Sequence, residues 1–135
     1  RNPALFDGDA IRKSFTISHS ISGTAAATAG NYGRFWTAPA KCVVDSVNAI
    51  WRTASTSGTL QVEKIPSGTA EGSGTNLLCE TIDLAGTADT YSAGTLSATA
   101  ATIELASGNS LSLVEAGTLT SQADLTVTVG LHWIV

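Results

Sequence analysis

Charge is the first thing this sequence is short of. Lys, Arg, Asp and Glu together make 13% of its 135 residues, against about 25% in an ordinary soluble domain. The seven cations (Arg1, Arg12, Lys13, Arg34, Lys41, Arg52 and Lys64) are scattered, and the net charge is −4. Nucleic-acid binding draws its affinity from a cationic face, and this chain has none, so no nucleic-acid partner is expected. No apolar run approaches the ~18 residues that span a bilayer, so no membrane partner is expected either. A basic stretch leading into an apolar one, the mark of a signal peptide, is missing at the start. The sequence opens on Arg1 rather than Met, which leaves room for a segment removed ahead of it.

Groups that carry chemistry are equally scarce. Two histidines, no methionine and two separated cysteines do not compose a transition-metal site, so no metal and no cofactor is expected. The acids Glu63, Glu71, Glu80, Asp83, Asp89, Glu104 and Glu115 stand singly on strands or loops, where a solvated face accounts for each. No Gly-x-Ser-x-Gly elbow occurs. The glycine-rich loop Pro66–Thr75 lacks the Gly-Lys-Ser/Thr ending and the following helix of a phosphate-binding loop. No catalytic residue is assigned, and an enzyme is not expected. Cys42 and Cys79 are too few for a disulfide framework. They read as two free, half-buried small hydrophobes, with one cross-strand disulfide as the alternative. There is no Asn-x-Ser/Thr glycan acceptor.

What the chain has in plenty is small and uncharged. Ser and Thr make roughly a quarter of it, and such side chains lose little entropy when pressed against another protein. That composition suits either a packing role or a stable extracellular-type β domain. Alternation supplies the architecture. From Asp124 to Val135, Leu125, Val127, Val129, Leu131, Trp133 and Val135 fall on every second position, with Thr126, Thr128, Gly130 and His132 between them. Successive strand residues point to opposite faces, so this is a strand with one apolar face that a second sheet must cover. Ser14–Ser22 repeats the pattern with Phe15, Ile17, His19 and Ile21, a semi-buried histidine among hydrophobes.

Further strands are expected over Cys42–Thr53, Thr59–Ile65, Asn76–Leu84, Thr102–Leu105 and Ser110–Glu115. In the second of these Leu60 and Val62 should point inward. In the first, Val43, Val47, Ala49 and Trp51 share one face and Val44 and Ile50 the other. A short helical turn is expected near Thr87–Ser92. Roughly seven or eight short strands with turns between them describe an all-β fold. The expectation is a single antiparallel β-sandwich, jelly-roll-like, over residues 14–135, with an extended N-terminal arm over residues 1–13. The arm follows neither period, so it should lie loose or on a neighbour through Leu5, Phe6 and Ile11.

The aromatic stretch near Tyr32 supplies further contact candidates. Trp51 and Trp133 have core phase. Phe35 and Trp36 are consecutive and should point to opposite faces, leaving one of them outward as a contact anchor beside Tyr32. The expected protein-interface residues are therefore Leu5, Phe6, Ile11, Tyr32, Phe35 and Trp36.

Several short stretches carry a resemblance. They are F-W-T-A-P-A at Phe35–Ala40, G-T-L at Gly58–Leu60, G-S-G-T-N-L-L at Gly72–Leu78, L-A-S-G-N-S-L-S-L-V at Leu105–Val114 and L-T-V-T-V-G-L at Leu125–Leu131. Over about residues 35–131 the chain resembles the small β-sandwich virion proteins of tailed bacteriophages, of the head decoration or cement type. The resemblance implies a structural protein that binds the major capsid protein on the outer capsid surface, bridges capsomers and sits as a homotrimer. It also implies synthesis in the host cytoplasm. Two other readings stand beside it. One is a glycan- or receptor-binding head of a phage fibre, with Tyr32, Trp36 and the Pro66–Thr75 loop in contact. The other is a trimeric ligand domain of the tumour-necrosis-factor type.

Overall fold

The computed structural model describes residues 14–24 and 33–134. The expected arm, with Leu5, Phe6 and Ile11, lies outside the described residues, and so does Tyr32. In chain order the elements are β1 (Ser14–Thr24), β2 (Gly33–Thr37), β3 (Cys42–Ile50), β4 (Thr59–Ile65), β5 (Thr75–Asn76), β6 (Ile82–Asp83) and β7 (Ser92–Ala93). They continue with the single turn α1 (Ala100–Ile103), β8 (Glu104–Leu105), β9 (Ser110–Ala116) and β10 (Ala123–Trp133).

Alternation places β10 at the centre of the first sheet, between β1 and β3, with β7 and β8 pairing opposite ends of β3. The second sheet runs β2-β9-β4, with β5 and β6 pairing opposite ends of β4. Every pairing is antiparallel. Taking each pair of short strands as one interrupted strand, the orders are those of an eight-stranded jelly roll, the expected two-sheet sandwich. Leu125, Val127, Val129 and Leu131 of β10 are buried against Leu60, Val62, Leu111 and Leu113 of the second sheet. Each such side chain contributes about 1.5–3 kcal/mol by leaving water. No helix among the described residues is long and apolar enough to cross a membrane.

The structure corrects three local expectations. In β3 the apolar phase reverses. Gly130 pairs with Ser46 and Leu131 with Val44, so Asp45 is an extra residue in a β-bulge. Cys42 and Val44 therefore join Val47, Ala49 and Trp51 in the core, and Val43 faces outward. The strand expected over Asn76–Leu84 is broken, because Leu77 and Leu78 are both buried and a continuous strand would turn one of them out. The primary amide of Gln61 replaces the missing ladder: Nε2 donates to Leu78 O at 3.1 Å and Oε1 accepts from Leu78 N–H at 3.0 Å. The helical turn sits at Ala100–Ile103, taking Thr102 from an expected strand, while Ser92 belongs to β7.

Both cysteines are free. Cys42 is buried, and burial pushes its thiol pKa up, whereas Cys79 is exposed rather than half-buried. At one end of the first sheet Asp124 of β10 ties β1 to the segment that follows β3. Its backbone is left-handed (φ 52°), a conformation Asp tolerates. One carboxylate oxygen accepts from Gly23 N–H at 2.7 Å and the other pairs with the Arg52 guanidinium. The Arg52 hydrogen bond, and then the Gly23 one, hold this carboxyl below the usual carboxylate range. A folded pKa below the unfolded one stabilises above the unfolded value, about 3.9, and that contribution is lost as pH falls through the lower folded value. Acid titration of unfolding should therefore be shallower below pH ~4 in Asp124→Asn, which keeps the left-handed backbone, than in the unmodified chain. Equal slopes would show that the carboxylate is not a determinant of acid stability.

Candidate interaction surface

The two sheets do not close equally on both sides. On one side the interrupted strands β5, β6, β7 and β8 are wrapped by the connections between them, and Leu77, Leu78 and Leu84 are buried. On the other side β1 faces β2, each the outermost strand of its sheet. There the inward row of β1 (Phe15, Ile17, His19 and Ile21) is only half-buried, although its partners Leu131, Val129, Val127 and Leu125 are at most 2% exposed. That step in burial between adjacent strands marks an open seam.

Aromatic rings line the seam. Phe15 stacks on Trp133 at 4.3 Å between centroids, and Trp36 lies 5.7 Å from Phe15 and 6.4 Å from Trp133. Further along, His19 stacks on Phe35 at 5.3 Å. Tilted and offset ring pairs of this kind add about 0.5–1.5 kcal/mol each beyond the area they cover. His19 is thus the semi-buried histidine expected from the alternation.

Phe35 and Trp36 overturn the expectation that one of them looks outward. Arg34 pairs with Ser112 and Trp36 with Leu111, so Phe35 is the extra residue of a second bulge. The bulge turns both rings toward the seam, where both are half-buried against the core. The expected contact residues Phe35 and Trp36 are therefore brought together, but as neighbours lining one opening.

The glycine-rich loop Pro66–Thr75 is largely exposed in its side chains, yet its backbone is anchored to the outer face of the second sheet. Glu63 is 2% exposed. Its Oε1 accepts from Gly72 N–H at 2.6 Å and its Oε2 from Gly74 N–H at 3.0 Å. Arg34 Nη2 donates to Thr69 O at 2.9 Å, and Arg34 N–H donates to Glu71 Oε1 at 3.3 Å. This corrects the reading of the acids as solvated: Glu63 is a buried anchor, and Glu115, at 1% exposed, is buried as well. Lys64 extends to α1, donating to Ala101 O and Glu104 O at 2.7 and 2.9 Å. Burial lowers its ammonium pKa, partly offset by Glu104.

The outer face of the first sheet is a field of small hydroxyls. Ser18 meets Thr128 at 3.3 Å and Ser20 meets Thr126 at 3.0 Å. His132 stands among them and donates from Nδ1 to the Asp45 carboxylate at 2.8 and 2.9 Å. A groove of about 360 Å³ lies between β6 and β7, lined by Glu80, Asp83, Ser92 and Thr95 among others. Among the described residues no group of three or more His, Cys, Asp or Glu is placed to hold a metal ion.

No family model and no curated protein matches this chain. Solved structures do resemble it. A chain of the capsid asymmetric unit of cyanophage Pam1 is similar at a TM-score of 0.54 and 15% identity, over 90% of this chain and 84% of that one. A chain of infectious bursal disease virus, Gx strain, has a TM-score of 0.42 and 12% identity, over 89% of this chain and 32% of that one. At these identities the likeness is one of fold, and the fold shared nearly end to end with the cyanophage capsid chain is this two-sheet β-sandwich.

Proposed function

We propose that this protein is a structural component of a virion, a decoration protein that packs on the outer capsid surface and bridges neighbouring capsomers. The observation that carries the reading is the correspondence with the cyanophage capsid chain, in which nearly the whole of one chain matches nearly the whole of the other. The surface agrees with it. Small hydroxyl side chains cover the outer face of the first sheet, and they can be pressed against a partner at low entropic cost. The open seam supplies apolar area for the same purpose, with Phe35 and Trp36 among its lining residues.

In this proposal the partner is the major capsid protein, and three copies group around a symmetry axis of the shell. Leu5, Phe6 and Ile11 of the arm, with Tyr32, extend the contact to a neighbour. Synthesis takes place in the host cytoplasm before attachment. The test is to mix the purified protein with empty shells assembled from the major capsid protein of the same virus. Co-sedimentation and a raised shell melting temperature are expected. Shells that neither retain the protein nor gain heat resistance would refute the reading. Deleting Arg1–Lys13 should leave the unfolding transition of the body unchanged and weaken shell binding by tenfold or more, about 1.4 kcal/mol. Undiminished decoration by the truncated chain would remove the arm from the contact.

A further inference from the structure

Sheet edges expose unpaired backbone groups, and soluble proteins usually shorten, bulge or charge them. Here three of the four edges are so protected. β5 and β6 have two residues each, as do β7 and β8, and the five-residue β2 carries the Phe35 bulge. β1 is the exception. It runs for eleven residues, contains no proline, lysine or other formally charged residue, and pairs only with β10 among the described strands. From Ser14 to Ile21 its register is unbroken.

We propose that β1 is a self-association edge, pairing antiparallel with β1 of a second copy about a two-fold axis through Ser18. The occupant follows from the strand's own pattern. With Ser18 opposite itself, Phe15 faces Ile21 of the other copy, Ile17 faces His19, and Thr16 faces Ser20. Antiparallel residues opposite one another share a face. Every half-buried hydrophobe of the seam side then meets a hydrophobe or the histidine ring, and every exposed hydroxyl meets a hydroxyl. The edge carries no charge to repel its copy. An isologous contact of this kind is self-complementary by symmetry, and it continues the first sheet of one copy into that of the next. It is separate from the three-fold grouping on a shell, and it joins copies in the absence of any shell.

The test reads mass by sedimentation on the full-length protein. Thr16→Lys with Ser20→Lys places like charges opposite each other at two points across the axis. Thr16→Lys with Ser20→Glu places opposite charges there instead. All these positions are exposed in the single chain. The unmodified protein should have about twice the mass of T16K/S20K, and T16K/S20E should recover the doubled mass. In the doubled forms the β1 amides that point away from β10 should exchange slowly with deuterium and in T16K/S20K quickly, while those bonded to β10 stay slow in both. Equal masses for the unmodified protein and T16K/S20K would overturn the proposal. That includes the case in which residues 1–13 of the same chain cover the edge. So would a doubled mass that T16K/S20K leaves intact, or T16K/S20E remaining at single mass while folded by circular dichroism.

Discussion

Trp51→Ala should lower the unfolding free energy by about 3–5 kcal/mol, a large share of the roughly 5–15 kcal/mol that holds a domain together. Trp51 follows β3 and is 1% exposed. Its ring lies under the connection between β6 and β7, where Nε1 donates to Gly86 O at 3.4 Å. Its carbonyl accepts from Asp89 N–H at 2.8 Å, so ring and backbone together hold that connection down. Alanine leaves a large cavity in the core and removes the donor to Gly86 O. Urea unfolding followed by far-ultraviolet circular dichroism measures the loss, with the slope unchanged if only stability is affected. Trp51→Phe keeps most of the volume and should lose much less. A loss under about 1 kcal/mol in Trp51→Ala would mean the connection is held by something else.

Glu63→Ala should lose about 2–4 kcal/mol and release the Pro66–Thr75 loop. The carboxylate, on a residue only 2% exposed, is the acceptor for two part-buried backbone donors, Gly72 N–H and Gly74 N–H. Removing it leaves both donors without that partner. Gly74→Ala attacks the same contact from the loop side, because an added Cβ would meet the Lys64 carbonyl oxygen. Limited proteolysis separates local from global effects: cleavage should appear first within residues 66–75 in both variants, before the body of the sandwich melts. A loop that stays uncut in Glu63→Ala would show that the carboxylate is not its anchor.

The long strands were legible because each is one uninterrupted alternation over an inner and an outer face. β1 and β10 read correctly to within a residue or two for that reason, and Leu60 and Val62 of β4 point inward as expected. Phase failed wherever a bulge intervened. Asp45 and Ser46 are two consecutive polar residues inside an apolar run, and that doublet was the visible trace of the inserted residue. The bulge at Phe35 left no such trace, since its register is set by Ser112 and Leu111, far along the chain. Glu63 misled for another reason. A polar strand residue looks solvated until the following loop folds over it, and the groups that Glu63 accepts from are backbone amides of glycines, which carry no side-chain signal. The seam itself was half-visible: its aromatics stood out, but their convergence on one opening depends on both the bulge and the facing of two edge strands.

The pairing of β1 with β10 also sets when the molecule can fold during its own synthesis. Ser18 and Thr128 touch although they are 110 positions apart. β10, which lies between β1 and β3, thus leaves the ribosome long after both of its neighbours. Proteins dominated by such distant pairings fold on the order of milliseconds to seconds. The nascent chain must therefore wait, with the apolar rows of β1 and β3 unsheltered, until β10 arrives to fill the gap between them.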